Sequence, residues 1–142
     1  MKIRNLKEGK IYHIYNRGVR KTAIFNDSED YLFLILKMIN LKRKKQLTIF
    51  DFCIMPNHFH ILIKDKKNTS SFLQTLQLSY TKYFNHKYNL SGSIFQGRYK
   101  HTFIKDEFDY ARITKYIQNN PVKDKLVKNN KDWTFSSINI KP

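Results

Sequence analysis

The stretch CIMPNHFHILIK, residues 53–64, sets a Pro-Asn pair between two apolar runs and puts two histidines, His58 and His60, at the head of the second. Pro56-Asn57 reads as a turn or bulge pair, so QLTIFDFCIM and HFHILIK read as neighbouring antiparallel strands. Side chains alternate across a strand, which puts His58 and His60 on one face and Phe59 and Ile61 on the other. The apolar set belongs under the sheet and the imidazoles on top. Two neutral imidazoles about 7 Å apart along a strand can converge on one divalent cation if a third ligand comes from elsewhere. Taken alone, the same pair is also ordinary strand polarity.

Working outward, KIYHIYNRG alternates and ends in a turn signal, as a strand does. DSEDYLFLILKMINLKRKK reads as a helix that Asp27 or Ser28 can cap, with acidic residues in its first turn and Lys and Arg in its last. TSSFLQTLQLSYTKYFNHKYN predicts a second long helix opened by Thr69 or Ser70, with Phe72, Leu73, Leu76 and Tyr80 at helical spacing. GSIFQGRYKHTFIK is glycine-punctuated and partly extended. DEFDYARITKYIQNN predicts a third helix, stopped by Pro121. Strand, helix, strand, strand, helix, strand-like segment, helix is the order of an α+β ferredoxin-like (RRM-like) sandwich, an antiparallel sheet with helices on one face and the other face free. With no linker, repeat or low-complexity tail, residues 1–142 are expected to form one domain.

Charge narrows the partner. The chain carries 27 Lys and Arg against 11 Asp and Glu, a net charge of +16, with 15% aromatic residues. That combination suits a polyanion whose bases can stack, a nucleic acid, although a basic solvated surface has the same composition. The single cysteine, Cys53, excludes an internal disulfide framework and a Cys-rich zinc site, and it fits a reducing, cytoplasmic setting. No apolar run approaches the ~20 residues that span a bilayer, and the N-terminus lacks a secretory apolar core, so neither membrane insertion nor secretion is expected.

The segments YHIYNRGVRKTAIFNDSEDY, MPNHFHILI, SYTKYFNHKY, GSIFQGRYK and YIQNNPVKDKLV together resemble one family: the single-tyrosine transposases of the HUH endonuclease superfamily, especially the REP-associated tyrosine transposases. The likeness runs in order through most of residues 10–127. It implies the ferredoxin-like fold and a metal-dependent endonuclease and strand-transferase acting on single-stranded DNA at hairpins, through a covalent 5′-phosphotyrosine intermediate. It further implies that His58 and His60 hold Mg²⁺ or Mn²⁺. The match to Tyr-Ile-x-x-Asn-Pro-Val implies Tyr116 as the nucleophile and Asn120, four residues on, as third ligand. By residue pattern alone Tyr80, Tyr83 and Tyr110 are also helical and stand level with Tyr116. Arg17, Arg98 and Lys100 lie in family-like segments and are expected to contact DNA phosphates, Arg98 foremost.

Other residues stay open. His13 can border the active site or be a hydrogen-bonded structural histidine. Cys53 reads as a small buried hydrophobe and Trp133 as a core anchor for the C-terminal segment. Both monomer and homodimer are compatible with the sequence. The alternative function is a non-catalytic module binding single-stranded nucleic acid on an exposed sheet, as RNA-recognition domains do. It leaves His58 and His60 without a task, and residues 10–16 and 58–64 lack the aromatic signature it needs.

Overall fold

A computed structural model describes residues 9–142. The Pro56-Asn57 turn joins β2 (Thr48–Met55) to β3 (His58–Lys64), with Met55 opposite His58. β1 (Ile11–Arg17) pairs antiparallel with β3 and also with β4 (Lys100–Phe103), so the sheet order is β2-β3-β1-β4. With α1 (Ser28–Lys44) between β1 and β2, and α2 (Thr69–Tyr88) between β3 and β4, this is the expected ferredoxin-like β-α-β-β-α-β plan.

The helices form where local chemistry starts them. The Asp27 carboxylate caps α1 by accepting from the Asp30 amide at 3.1 Å, and Lys42, Arg43 and Lys44 face its negative end. Thr69 is the first residue of α2, and its hydroxyl accepts from the Lys66 amide at 3.0 Å. An ion pair to the buried Asp30 then ties the two helices: Lys87 lies 2.9 Å from its carboxylate.

Alternation sorts the sheet into two faces. Tyr12, Ile14, Phe52, Ile54, Phe59, Ile61 and Ile63 join Leu34, Ile35, Met38, Phe72, Leu73, Leu76 and Tyr80 from α1 and α2 in the main core. A bulge at Phe50 keeps this pattern intact: Ile49 faces Ile63 and Phe52 faces Ile61, although 49 and 52 are an odd number apart.

The opposite face is not left free. α3 (Glu107–Lys123) lies across it and packs Ile113 and Ile117 on Cys53, Met55 and Leu62. Sheet-face polarity does not announce this second, smaller core, because its buried strand residues, Cys53, Met55 and Leu62, share their face with the histidines. Nor does Pro121 stop α3, as the sequence predicts. Pro121 offers no amide to the Ile117 carbonyl, but it enters only at the last turn, where Asp124 still donates to Asn120 at 3.0 Å and Leu126 to Pro121 at 2.9 Å. Asn120 therefore stays helical despite the proline that follows it.

Cys53 is buried as expected, with burial pushing its thiol up to about 12. Trp133 anchors the C-terminal segment by donating its indole N–H to the Ile54 carbonyl at 2.9 Å. No helix among the described residues is long and apolar enough to cross a membrane.

Candidate functional site

The sheet face under α3 carries His13, Tyr15 and Arg17 from β1, His58 and His60 from β3, and Lys100 from β4, because Tyr15 pairs with both His60 and Lys100, and Arg17 with His58. Just beyond β1 the chain reverses at Gly18, where a Cβ would meet the Thr22 carbonyl oxygen at 2.3 Å. Only glycine lets this turn close onto the hairpin, where the Gly18 amide reaches the Asn57 carbonyl at 2.8 Å and brings Lys21 beside it.

Between these elements lies a cavity of about 410 Å³. His58, His60 and Asn57 line its floor side, with Tyr15, Arg17, Lys21 and Lys100 around them and Asp124 as its one carboxylate. Arg17 is held by Gln96, whose side-chain oxygen accepts from Nε at 2.5 Å. Arg98 is half-buried in the loop ahead of β4 and does not line the cavity, unlike Arg17 and Lys100.

The two histidines have different surroundings. His60 is 5% exposed, and its Nδ1 lies 2.8 Å from Nε2 of His13. Its other nitrogen, Nε2, is buried without a hydrogen-bond partner. His58 is half-buried; its Nδ1 lies 2.6 Å from Oδ1 of Asn57, and its Nε2 lies 3.0 Å from Oδ1 of Asn120. Asn57 in turn donates its amide to the Lys21 carbonyl at 3.2 Å, which turns its oxygen towards His58. Burial, above all, lowers the proton affinity of both rings, and of His13 to about 4; for His60 the neighbouring His13, His58 and Lys123 add to the effect. All three imidazoles are thus neutral at neutral pH.

This set fits a divalent cation. His58 Nε2 and Asn120 Oδ1 stand at hydrogen-bond distance, and with the His58 proton on Nδ1, towards Asn57, both atoms could offer lone pairs to one cation. The orphaned Nε2 of His60 supplies a third donor. Among the described residues no three His, Cys, Asp or Glu side chains form a metal cage, and Asn120 is an amide in reach of the histidine pair that could serve beside it.

Tyr116 stands over this group. Its ring centre is 5.6 Å from that of His60 and 6.1 Å from that of His13, both edge-on, while Lys123 Nζ lies 5.4 Å from its own ring. At 41% exposure it is accessible. The other helical tyrosines are placed differently: Tyr80 is fully buried and bonds the Ile24 carbonyl, Tyr83 bonds Asp30, and Tyr110 packs on Phe50. Helix phase decides this, since Ile113 and Ile117 take the core and leave Tyr116 and Asn120 on the adjoining stripe, four residues apart.

Residues 7–120 match the family model for Transposase IS200 like. The chain belongs to the IS200-like transposase family. Family relatives carry more specific names. A protein of Haemophilus influenzae named as a REP-associated tyrosine transposase is 34% identical over 99 residues, 61% of this chain and 56% of its own. The REP-associated tyrosine transposase of Escherichia coli is 27% identical over 133 residues, 94% of this chain and 78% of its own. Among solved structures, a REP-associated tyrosine transposase bound to a REP hairpin superposes with a TM-score of 0.77 at 26% identity, covering 96% of this chain and 81% of that one. A transposase structure from Deinococcus radiodurans shares the fold, with a TM-score of 0.55 at 17% identity over 84% of this chain and 96% of the other. The chain thus has the fold and the family that its sequence resembles.

Sequence reasoning left His13 open and passed over Lys21, Asn57 and Asp124. His13 was within reach, because residues 13, 15 and 17 alternate onto the histidine face. Lys21 and Asp124 were not, since loop closure at Gly18 and continuation of α3 past Pro121 bring them in.

Proposed function

We propose that this transposase nicks and rejoins single-stranded DNA at hairpins, with Tyr116 as nucleophile and with His58, His60 and Asn120 holding Mg²⁺ or Mn²⁺. The observation that carries the reading is an accessible phenol set edge-on at 5.6 Å over a buried imidazole whose Nε2 has no partner. The hairpin-bound relative supports the substrate class.

In the forward step the Tyr116 oxygen attacks phosphorus, the bond from phosphorus to the 3′ oxygen breaks, and the phenol proton ends on the departing 3′-hydroxyl. The product is a 5′-phosphotyrosine ester that keeps the energy of the broken linkage, so another DNA 3′-hydroxyl can reverse the step and ligate. A divalent cation at the histidine pair would bind a non-bridging oxygen and neutralise the charge that builds on it. Arg17, Lys21 and Lys100 line the cavity as phosphate contacts. Tyr15 offers a ring face to a base beside the scissile linkage. The non-catalytic alternative needs an open sheet for stacking, and α3 lies across that face.

The test is incubation of labelled hairpin DNA with protein and Mn²⁺. Wild type should give a covalent protein–DNA adduct. Tyr116→Phe should bind the hairpin within about twofold and form no adduct, because it keeps the ring and loses only the nucleophilic oxygen. An adduct from Tyr116→Phe moves the nucleophile elsewhere, and none from wild type favours the binding module.

A further inference from the structure

We propose that His13 is a positioning residue that fixes the tautomer of His60, accepting a hydrogen bond from Nδ1–H so that the Nε2 lone pair points into the site. The cation this lone pair would hold rests on the reading above; the tautomer itself does not.

The geometry comes from the sheet. β1 and β3 pair His13 with Leu62 and Tyr15 with His60, so His13 and His60 are diagonal neighbours on one face. Their ring centres are 5.0 Å apart with planes 28° apart, and the nitrogens meet edge to edge at 2.8 Å. Such an N···N contact holds one proton, so one ring donates and the other accepts. Were His13 the donor, the proton of neutral His60 would sit on Nε2, a buried N–H with nothing to receive it. With His13 as acceptor, Nε2 keeps a free lone pair on a ring that lines the cavity, with His58 and Tyr116 edge-on to it at 5.0 and 5.6 Å. Metal-binding imidazoles commonly donate their second nitrogen to an acceptor that fixes tautomer and ring orientation. Here a second histidine fills the place usually taken by a carboxylate or carbonyl. An uncharged acceptor keeps the basic DNA-facing surface free of a further anion.

Nitrogen-15 NMR of metal-free protein reads the tautomer directly. In wild type His60 should appear with its proton on Nδ1. His13→Leu should show a mixture or the Nε2–H form and bind Mn²⁺ at least about 10-fold more weakly. His13→Gln, whose side-chain oxygen reaches the position of the lost Nε2, should restore the Nδ1–H form and bring Mn²⁺ affinity back to within about threefold. A merely packing role predicts no difference between the two variants, with Leu filling the space as well as Gln. An Nε2–H tautomer in wild type, or His13→Leu with an unchanged tautomer, overturns the assignment. Failure of the cation reading is seen separately, as Mn²⁺ binding that survives His58→Ala with His60→Ala.

Discussion

Nε2 of His58 and Oδ1 of Asn120 lie 3.0 Å apart, bridging a strand residue to a helix residue 62 positions later in the chain. This contact ties α3 to the histidine pair of β3. Asn120 is 4% exposed, so its amide has few other directions to turn.

If the amide is a ligand, Asn120→Leu should weaken Mn²⁺ binding about 10-fold or more, while Asn120→Asp, with a charged oxygen in the same place, should strengthen it. Isothermal titration of the purified variants checks both. Unchanged affinity in Asn120→Leu would make the amide only a hydrogen-bond partner of His58.

How much of this site the sequence holds depends on the range over which its determinants act. The hairpin, the shared face of His58 and His60, and the cap of α1 follow from neighbours within a few residues. The burial of His60 does not, because it needs His13 from β1 and α3 from the far end of the chain. Local rules even mislead at Asn120-Pro121, since they weigh the lost amide of one proline without the burial of Ile117 and Asn120 that holds the last turn in place. The bulge at Phe50 is another such case: strict alternation puts Ile49 and Phe52 on opposite faces, and only pairing with β3 restores them to one. The choice of Tyr116 among the helical tyrosines came from family likeness, and helix phase supplies the physical reason for it.

Arg17 and Lys100 line the cavity whereas Arg98 does not. Binding to single-stranded DNA should weaken with salt at a log–log slope of about −0.7 per phosphate neutralised. Arg17→Ala and Lys100→Ala should each make the slope shallower by about that amount, and Arg98→Ala should change it less. Fluorescence anisotropy between low and moderate salt gives the slopes, and a larger change for Arg98→Ala would shift the DNA path to the loop before β4.

Asp30 makes stability depend on acid. Burial alone would raise its carboxyl, but the Tyr88 hydroxyl at 2.6 Å, the Asn26 amide at 3.0 Å, Lys87 at 2.9 Å and the Tyr83 hydroxyl at 2.8 Å outweigh this and hold it below the ordinary carboxylate value. A depressed carboxylate stabilises the fold above its unfolded value and loses that contribution as pH falls through its folded value. Urea midpoints should therefore drop as pH is taken below about 4. Asp30→Asn should lower stability at neutral pH by about 2 kcal/mol and flatten this acid limb. An equally steep limb in Asp30→Asn would assign the acid loss to other carboxylates.

Ile117 joins the stability of α3 to the placement of Tyr116. Its side chain is fully buried against Cys53, Met55 and Leu62, one residue from the proposed nucleophile and three from Asn120. This second core is small, and the polar contacts that help it hold the helix to the sheet are the Gln118 amide on Asp51 at 3.2 Å and Asn120 on His58 at 3.0 Å. Ile117→Ala should cost about 2–5 kcal/mol and Ile117→Val about 1 kcal/mol in urea unfolding. Because the loss falls on the docking of α3, adduct formation should drop more steeply than hairpin affinity, which draws on Arg17, Lys21 and Lys100 from other elements. Hydrogen exchange supplies the third measurement: amides of α3 should lose protection in Ile117→Ala while those of β1 and β3 keep theirs. Equal loss of protection across the sheet and α3 would mean that the two cores unfold as one unit, and that Tyr116 is positioned by the whole domain and not by this one contact.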